Sequence, residues 1–166
     1  MLCDYAALEL QKQERIVTQK GMWVALCPYW AIWPFEILLL PTRHVPSLPD
    51  LSKQELSDLA EILSAVTIRY DNLFKCSFPY SMGIHQAPLK IPDGADFDKD
   101  ISHIHFHFYP VLLRSPTVRK FLAGFFPSKY TAYRRFEMLC EPQRDLTPEQ
   151  AANRLRVLEE KHYSEQ

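Results

Sequence analysis

The chain has 166 residues, 47% of them apolar and 23% charged, and a net charge of −1. This is the profile of one globular domain able to bury a core, and it excludes a disordered chain and any global electrostatic pull toward nucleic acid or an anionic membrane. The cysteines Cys3, Cys27, Cys76 and Cys140 are widely spaced and form no C-x-x-C pair, which excludes a zinc ribbon and a dithiol redox motif.

The first fifteen residues carry Asp4, Glu9 and Glu14, so no signal peptide is expected, and reduced thiols in a cytoplasmic setting follow as the default. Residues 2–15 read as a short amphipathic helix. Met22–Cys27 and Phe35–Leu40 read as strands, punctuated by Pro28, Pro34 and Pro41. Met22 to Leu40 is nearly long enough to span a bilayer, but Pro28, Pro34 and Glu36 interrupt it, and two core strands explain it better. Ser52-Lys53-Gln54-Glu55 is a capping box. Leu56, Leu59, Leu63, Val66 and Tyr70 then recur at the spacing of one helix face.

Pro79–His85 and Ile101–Tyr109 read as two more strands, joined by a loop over residues 86–100 rich in Asp, Pro and Gly. Thr147-Pro148-Glu149-Gln150 opens a last helix, whose apolar stripe is Ala151, Leu155 and Leu158, ending at about Lys161. The pattern predicts an α+β domain over residues 1–166, with a mainly antiparallel sheet and helices packed on it.

The stretch Ser102-His103-Ile104-His105-Phe106-His107-Phe108-Tyr109-Pro110 is the most informative in the chain. Alternate strand residues share a face, so His103, His105 and His107 are expected to form a polar row over an apolar Ile104, Phe106 and Phe108. A single histidine would read as a half-buried polar residue. Three in alternation, with His85 closing the neighbouring strand, favour a site. Neutral imidazoles two apart on a strand can share a zinc or iron ion. Asp93, Asp96, Asp98 and Asp100 are candidate carboxylate ligands, though acidic residues in a polar loop are commonly just solvated. Alternatively, the middle histidine of such a run, His105, can attack a phosphorus atom. From Arg114 to Arg144 seven cations follow, able to clamp a phosphate or to form a solvated face.

Longer motifs carry a resemblance. FPYSMG-IHQAP, H-FHFYP-VLLRSPTVRKF, EML-CEPQRDLTPEQAANRLR, LCDYAALELQKQER, WPFEILLLPTRHVPSLPDL and YDNLF together closely resemble the C-terminal half of the galactose-1-phosphate uridylyltransferase family, of the histidine-triad superfamily. The resemblance implies an α+β histidine-triad-like fold. It implies UMP transfer from UDP-glucose to galactose 1-phosphate through a uridylylated histidine. It maps a structural zinc or iron site onto His85, His105 and His107, whose fourth ligand is a glutamate of the N-terminal half. It maps substrate contacts onto Lys120, Phe121, Ala123 (where valine is usual), Glu137 and Gln143. The partners it implies are UDP-glucose, galactose 1-phosphate, and a second subunit, by homodimerisation or docking to a full-length subunit, with no nucleic acid and no membrane.

Three departures qualify the match. The family's nucleophile lies in a His-Pro-His segment of the N-terminal half, and no His-Pro-His occurs in this sequence. His103 stands where glutamine is usual. Eleven residues, Phe125–Arg135, separate Gly124 from Phe136-Glu137-Met138-Leu139, which the family joins directly, and this insertion is expected to bulge as a loop. Three readings follow: a transferase part without its nucleophile and so inactive alone, a non-catalytic assembly or binding module, or a stand-alone histidine-triad nucleotide hydrolase using His105.

Overall fold

In the computed structural model, residues 1–88, 101–110 and 146–165 are described. Their elements run α1 (Leu2–Lys12), β1 (Ile16–Lys20), β2 (Trp23–Leu26), β3 (Ile37–Pro41), α2 (Lys53–Phe74), β4 (Tyr80–His85), β5 (His105–Pro110) and α3 (Pro148–Arg156), with short 3-10 turns at Leu48–Asp50 and Tyr163–Glu165. The five strands form one sheet in the order β1-β2-β3-β5-β4, every neighbouring pair antiparallel. The expected α+β architecture is therefore present. Among the described residues no helix is long and apolar enough to cross a membrane.

α1 stops three residues earlier than its apolar pattern suggested. Gln13 takes a left-handed conformation (φ 57°) and its N–H closes on the Glu9 carbonyl. The early stop frees residues 16–20 to form β1, a strand the sequence reading missed. Arg15, on the link, is buried and paired with the fully buried Glu9 and with Glu149 of α3, tying the link to both helices. β1 turns into β2 through Gly21, whose φ of 52° suits glycine; a Cβ there would also collide with the Asp58 carboxylate.

The two helix-start motifs behave as expected. Ser52 and Glu55 exchange the reciprocal hydrogen bonds of a capping box at α2, and Thr147 and Gln150 do the same at α3. α2 buries Leu59, Ile62, Ala65, Val66, Arg69 and Tyr70, while Leu56, expected on that face, is 44% exposed.

The sheet is covered on both sides across β1–β3, while the edge strand β4 is mostly exposed. On one side, α2 and α3 pack on Val17, Trp23, Ala25, Ile37, Leu39, Phe106 and Phe108. On the other, Leu2, Tyr5, Ala6 and Leu10 of α1 pack on Ile16, Val24, Leu26, Leu38 and Leu40. β2 and β3 are buried along their whole length, as strands covered on both faces must be. Tyr70 anchors the first layer, its hydroxyl donating to the Phe35 carbonyl at 2.7 Å. That bond holds the β2–β3 loop where Phe35 adopts a left-handed φ of 61°.

β5 begins at His105, later than the strand expected from Ile101. The cause lies on its neighbour. β3 ends at Pro41, which has no N–H to offer the ladder. Beyond that point the chains part, and the Ile104 N–H turns to the Val45 carbonyl at 2.7 Å.

Candidate metal centre

β4 and β5 pair with His85 opposite His105 and Gly83 opposite His107. Directly opposed residues of an antiparallel pair share a face, so strand alternation puts all three imidazoles on one side. The rings form a nearly equilateral triangle, with centroids 4.9 Å apart for His85–His105, 5.2 Å for His85–His107 and 5.1 Å for His105–His107. One nitrogen from each lies within 4.8 Å of the others, close enough for the three to hold one metal ion. Gly83 places no side chain in this triangle; its Cβ position would lie 4.0 Å from His85 Nε2.

The donors suit a metal in their protonation as well as their position. His105 Nδ1 meets the His103 carbonyl at 2.7 Å. The carbonyl accepts, so Nδ1 carries the proton and Nε2 keeps its lone pair, the arrangement that backbone groups impose on metal-binding histidines. His107 Nδ1 is buried with no hydrogen-bond partner among the described residues. Its ring stacks on Tyr109 at an interplanar angle of 3°. Burial, then the neighbouring His105 and His85, pull the His107 pKa down to about 4. Burial is also the largest cause depressing His105. Both rings are thus neutral near pH 7, as a ligand must be.

His103 does not join the triangle. Because β5 starts two residues later, its ring lies beside the end of β3, with Nε2 3.1 Å from the Pro41 carbonyl and Nδ1 3.3 Å from the Val45 N–H. There it meets Cys3 and His44, a second group of potential ligand atoms within 4.8 Å of one another. The sequence reading did not foresee this group, because its members lie 41 and 59 positions apart and only the folded chain brings them together. Both groups open on a cavity of about 350 Å³ lined by Cys3, His44, His85, Gln86, His103 and His105, among others.

The expected substrate contacts Lys120, Phe121, Ala123, Glu137 and Gln143 lie outside the described residues, as do the insertion Phe125–Arg135, the aspartates 93–100 and the cations 114–144.

Comparison with known structures places the fold first. A zinc-bound histidine-triad family protein from Mycobacterium smegmatis shares the fold at a TM-score of 0.54, over 93% of this chain and 91% of that one, with 14% identity. A solved uridylyltransferase is nearer, at a TM-score of 0.69 and 26% identity over 95% of this chain and 44% of that one. Residues 1–166 match the model of the galactose-1-phosphate uridyl transferase C-terminal domain, and the chain belongs to that family. It is 53% identical to the galactose-1-phosphate uridylyltransferase of Hypocrea jecorina over 163 residues, 98% of this chain and 39% of that protein. The chain therefore spans about two fifths of the length of the curated relatives it matches.

Proposed function

We propose that the chain is the C-terminal part of a galactose-1-phosphate uridylyltransferase, a nucleotidyltransferase of galactose metabolism that moves UMP from UDP-glucose to galactose 1-phosphate. His85, His105 and His107 hold a structural zinc or iron ion in it. The observation that carries this reading is the three-histidine triangle, in a chain matched to the family from end to end. The ion would bind β4 to β5, and the His107 ring would gain the contact that no described residue supplies to its Nδ1.

In this reading the chain does not transfer UMP by itself, since a covalent mechanism cannot run without its nucleophile and the sequence contains no His-Pro-His. The nucleophile comes from an N-terminal half, which also supplies the fourth metal ligand. UDP-glucose is then gripped through Lys120, Phe121, Ala123, Glu137 and Gln143, in an active site completed by a second subunit in the cytoplasm. A coupled uridylyltransfer assay tests this. Activity should be at background for the chain alone and appear when an N-terminal half bearing the His-Pro-His segment is added. Transfer by the chain alone, abolished by His105→Ala, would overturn it.

One observation favours a second reading. His105 presents an unprotonated Nε2 with its Nδ1–H anchored on a backbone carbonyl, which is also how a nucleophilic imidazole must be held. Hydrolysis of a 5′-nucleotide phosphoramidate, lost on His105→Ala, would support that reading over the first.

A further inference from the structure

Cys3 on the first turn of α1, His44 beyond the end of β3 and His103 ahead of β5 come from three separate segments, yet their ligand atoms lie within 4.8 Å of one another. Cys3 Sγ is 3.7 Å from His103 Nδ1 and 3.8 Å from Nε2. The His44 and His103 rings are stacked, 5.6 Å between centroids and 20° apart in plane. Zinc takes a cysteine sulfur at about 2.3 Å and a histidine nitrogen at about 2.0–2.1 Å, so two such ligands in a tetrahedron stand roughly 3.6 Å from each other. The Cys3–His103 separation already matches that span.

We propose that Cys3, His44 and His103 form a second metal site, distinct from the three-histidine triangle, which takes a thiophilic divalent ion of the zinc class and leaves a fourth position open to the cavity. Nothing in this inference depends on uridylyl transfer or on the occupancy of the first site.

The donor set fits such an ion. A thiolate with imidazoles selects zinc and its neighbours over magnesium or calcium, which prefer oxygen. The sulfur and both rings border the same cavity of about 350 Å³, so solvent or a small anionic or thiol ligand can reach the open position. His103 is held for the task from behind. The Pro41 carbonyl accepts from Nε2–H at 3.1 Å, which fixes the tautomer and puts the lone pair on Nδ1. That lone pair now meets the Val45 N–H at 3.3 Å, a long contact. Metal binding replaces this contact and needs a small rotation of the ring, since Sγ lies nearly equidistant from both nitrogens. The exchange sets the affinity below that of a fully prepared site. Loading also releases the thiol proton, because the bound sulfur is a thiolate. The two sites communicate through one residue, since the His103 carbonyl anchors His105 Nδ1.

Cobalt(II) titration of the metal-stripped chain tests the proposal, because a cobalt–thiolate bond gives a near-ultraviolet charge-transfer absorption that a cobalt–imidazole bond does not. The wild-type chain should develop this absorption, and zinc should bleach it. Cys3→Ser should abolish it, and His85→Gln, which damages only the first site, should leave it in place. His44→Ala, at an exposed position, should fold normally and weaken the charge-transfer binding by at least about tenfold. Absence of the absorption in the wild-type chain would overturn the proposal. So would its persistence in Cys3→Ser, its loss in His85→Gln, or unchanged affinity in His44→Ala. Failure of the first site would appear instead as normal charge-transfer binding with no second equivalent of metal.

Discussion

The two faces of β5 share a backbone and almost nothing else. Phe106 and Phe108 point into the layer under α2 and α3 and are 2% and 0% exposed. His105, His107 and Tyr109 point to the other side, where the rings touch one another and a buried nitrogen has no partner among the described residues. One face is closed and satisfied; the other is assembled but incomplete. The difference teaches that the strand's stability and its chemistry are separable, because successive side chains answer to different neighbours.

The largest test of that separation is Phe108→Ala. The ring contacts Tyr70 and Tyr80, and its removal should cost about 3–5 kcal/mol in chemical denaturation. A loss below about 1 kcal/mol would mean that the closed face does not hold the fold. Tyr70→Phe keeps the ring but strips the Phe35 carbonyl of its donor, for a loss of about 1–3 kcal/mol. Ser52→Ala, which removes the α2 cap, should cost about 1 kcal/mol by the same measurement.

His107→Gln sharpens the comparison from the other side. It should move metal-free stability by less than about 1 kcal/mol, since no described residue bonds the ring's buried nitrogen, while zinc binding by calorimetry falls at least about tenfold. The smallest effect is acid-dependent. The Arg43 guanidinium, then the Ser52 N–H, hold the Glu55 carboxyl down to about 2. An unfolded glutamate takes its proton near its ordinary value, so this contribution is complete above about pH 4.5 and fades as pH falls toward 2. Glu55→Gln should flatten the acid limb of the stability profile there; an unchanged limb would sink the assignment.

Much of this was legible in the sequence where one local rule sufficed. The capping boxes at Ser52 and Thr147 depend on residues three apart, and both formed. The opposition of His85 and His105 needed only two strands and their parity. What escaped reading depended on distant partners. β1 (IVTQK) carries no strong alternation and becomes a strand because Gln13 turns the chain back and Gly21 folds it onto β2. His103 left the expected row because Pro41, more than sixty residues away, ends the neighbouring ladder. Among the aromatics, Trp23, Trp33, Phe35, Phe106 and Phe108 are buried, while Trp30 is 48% exposed and leans on Tyr5.

The strand order carries a consequence for biosynthesis. β5 lies between β3 and β4, so the last of the five strands to be made is the one that joins the other four. While it is still missing, His85 sits on a strand with no neighbour among the described strands. At about 5–20 residues per second, the ribosome needs roughly 1–5 s to extend the chain from His85 to Pro110. During that interval the nascent chain exposes the β3 and β4 edges that β5 later covers, each able to pair with the wrong partner. The arrival of His105 and His107 closes both edges and completes the histidine triangle in the same event. Slow translation of this stretch would therefore show first as aggregation of newborn chains.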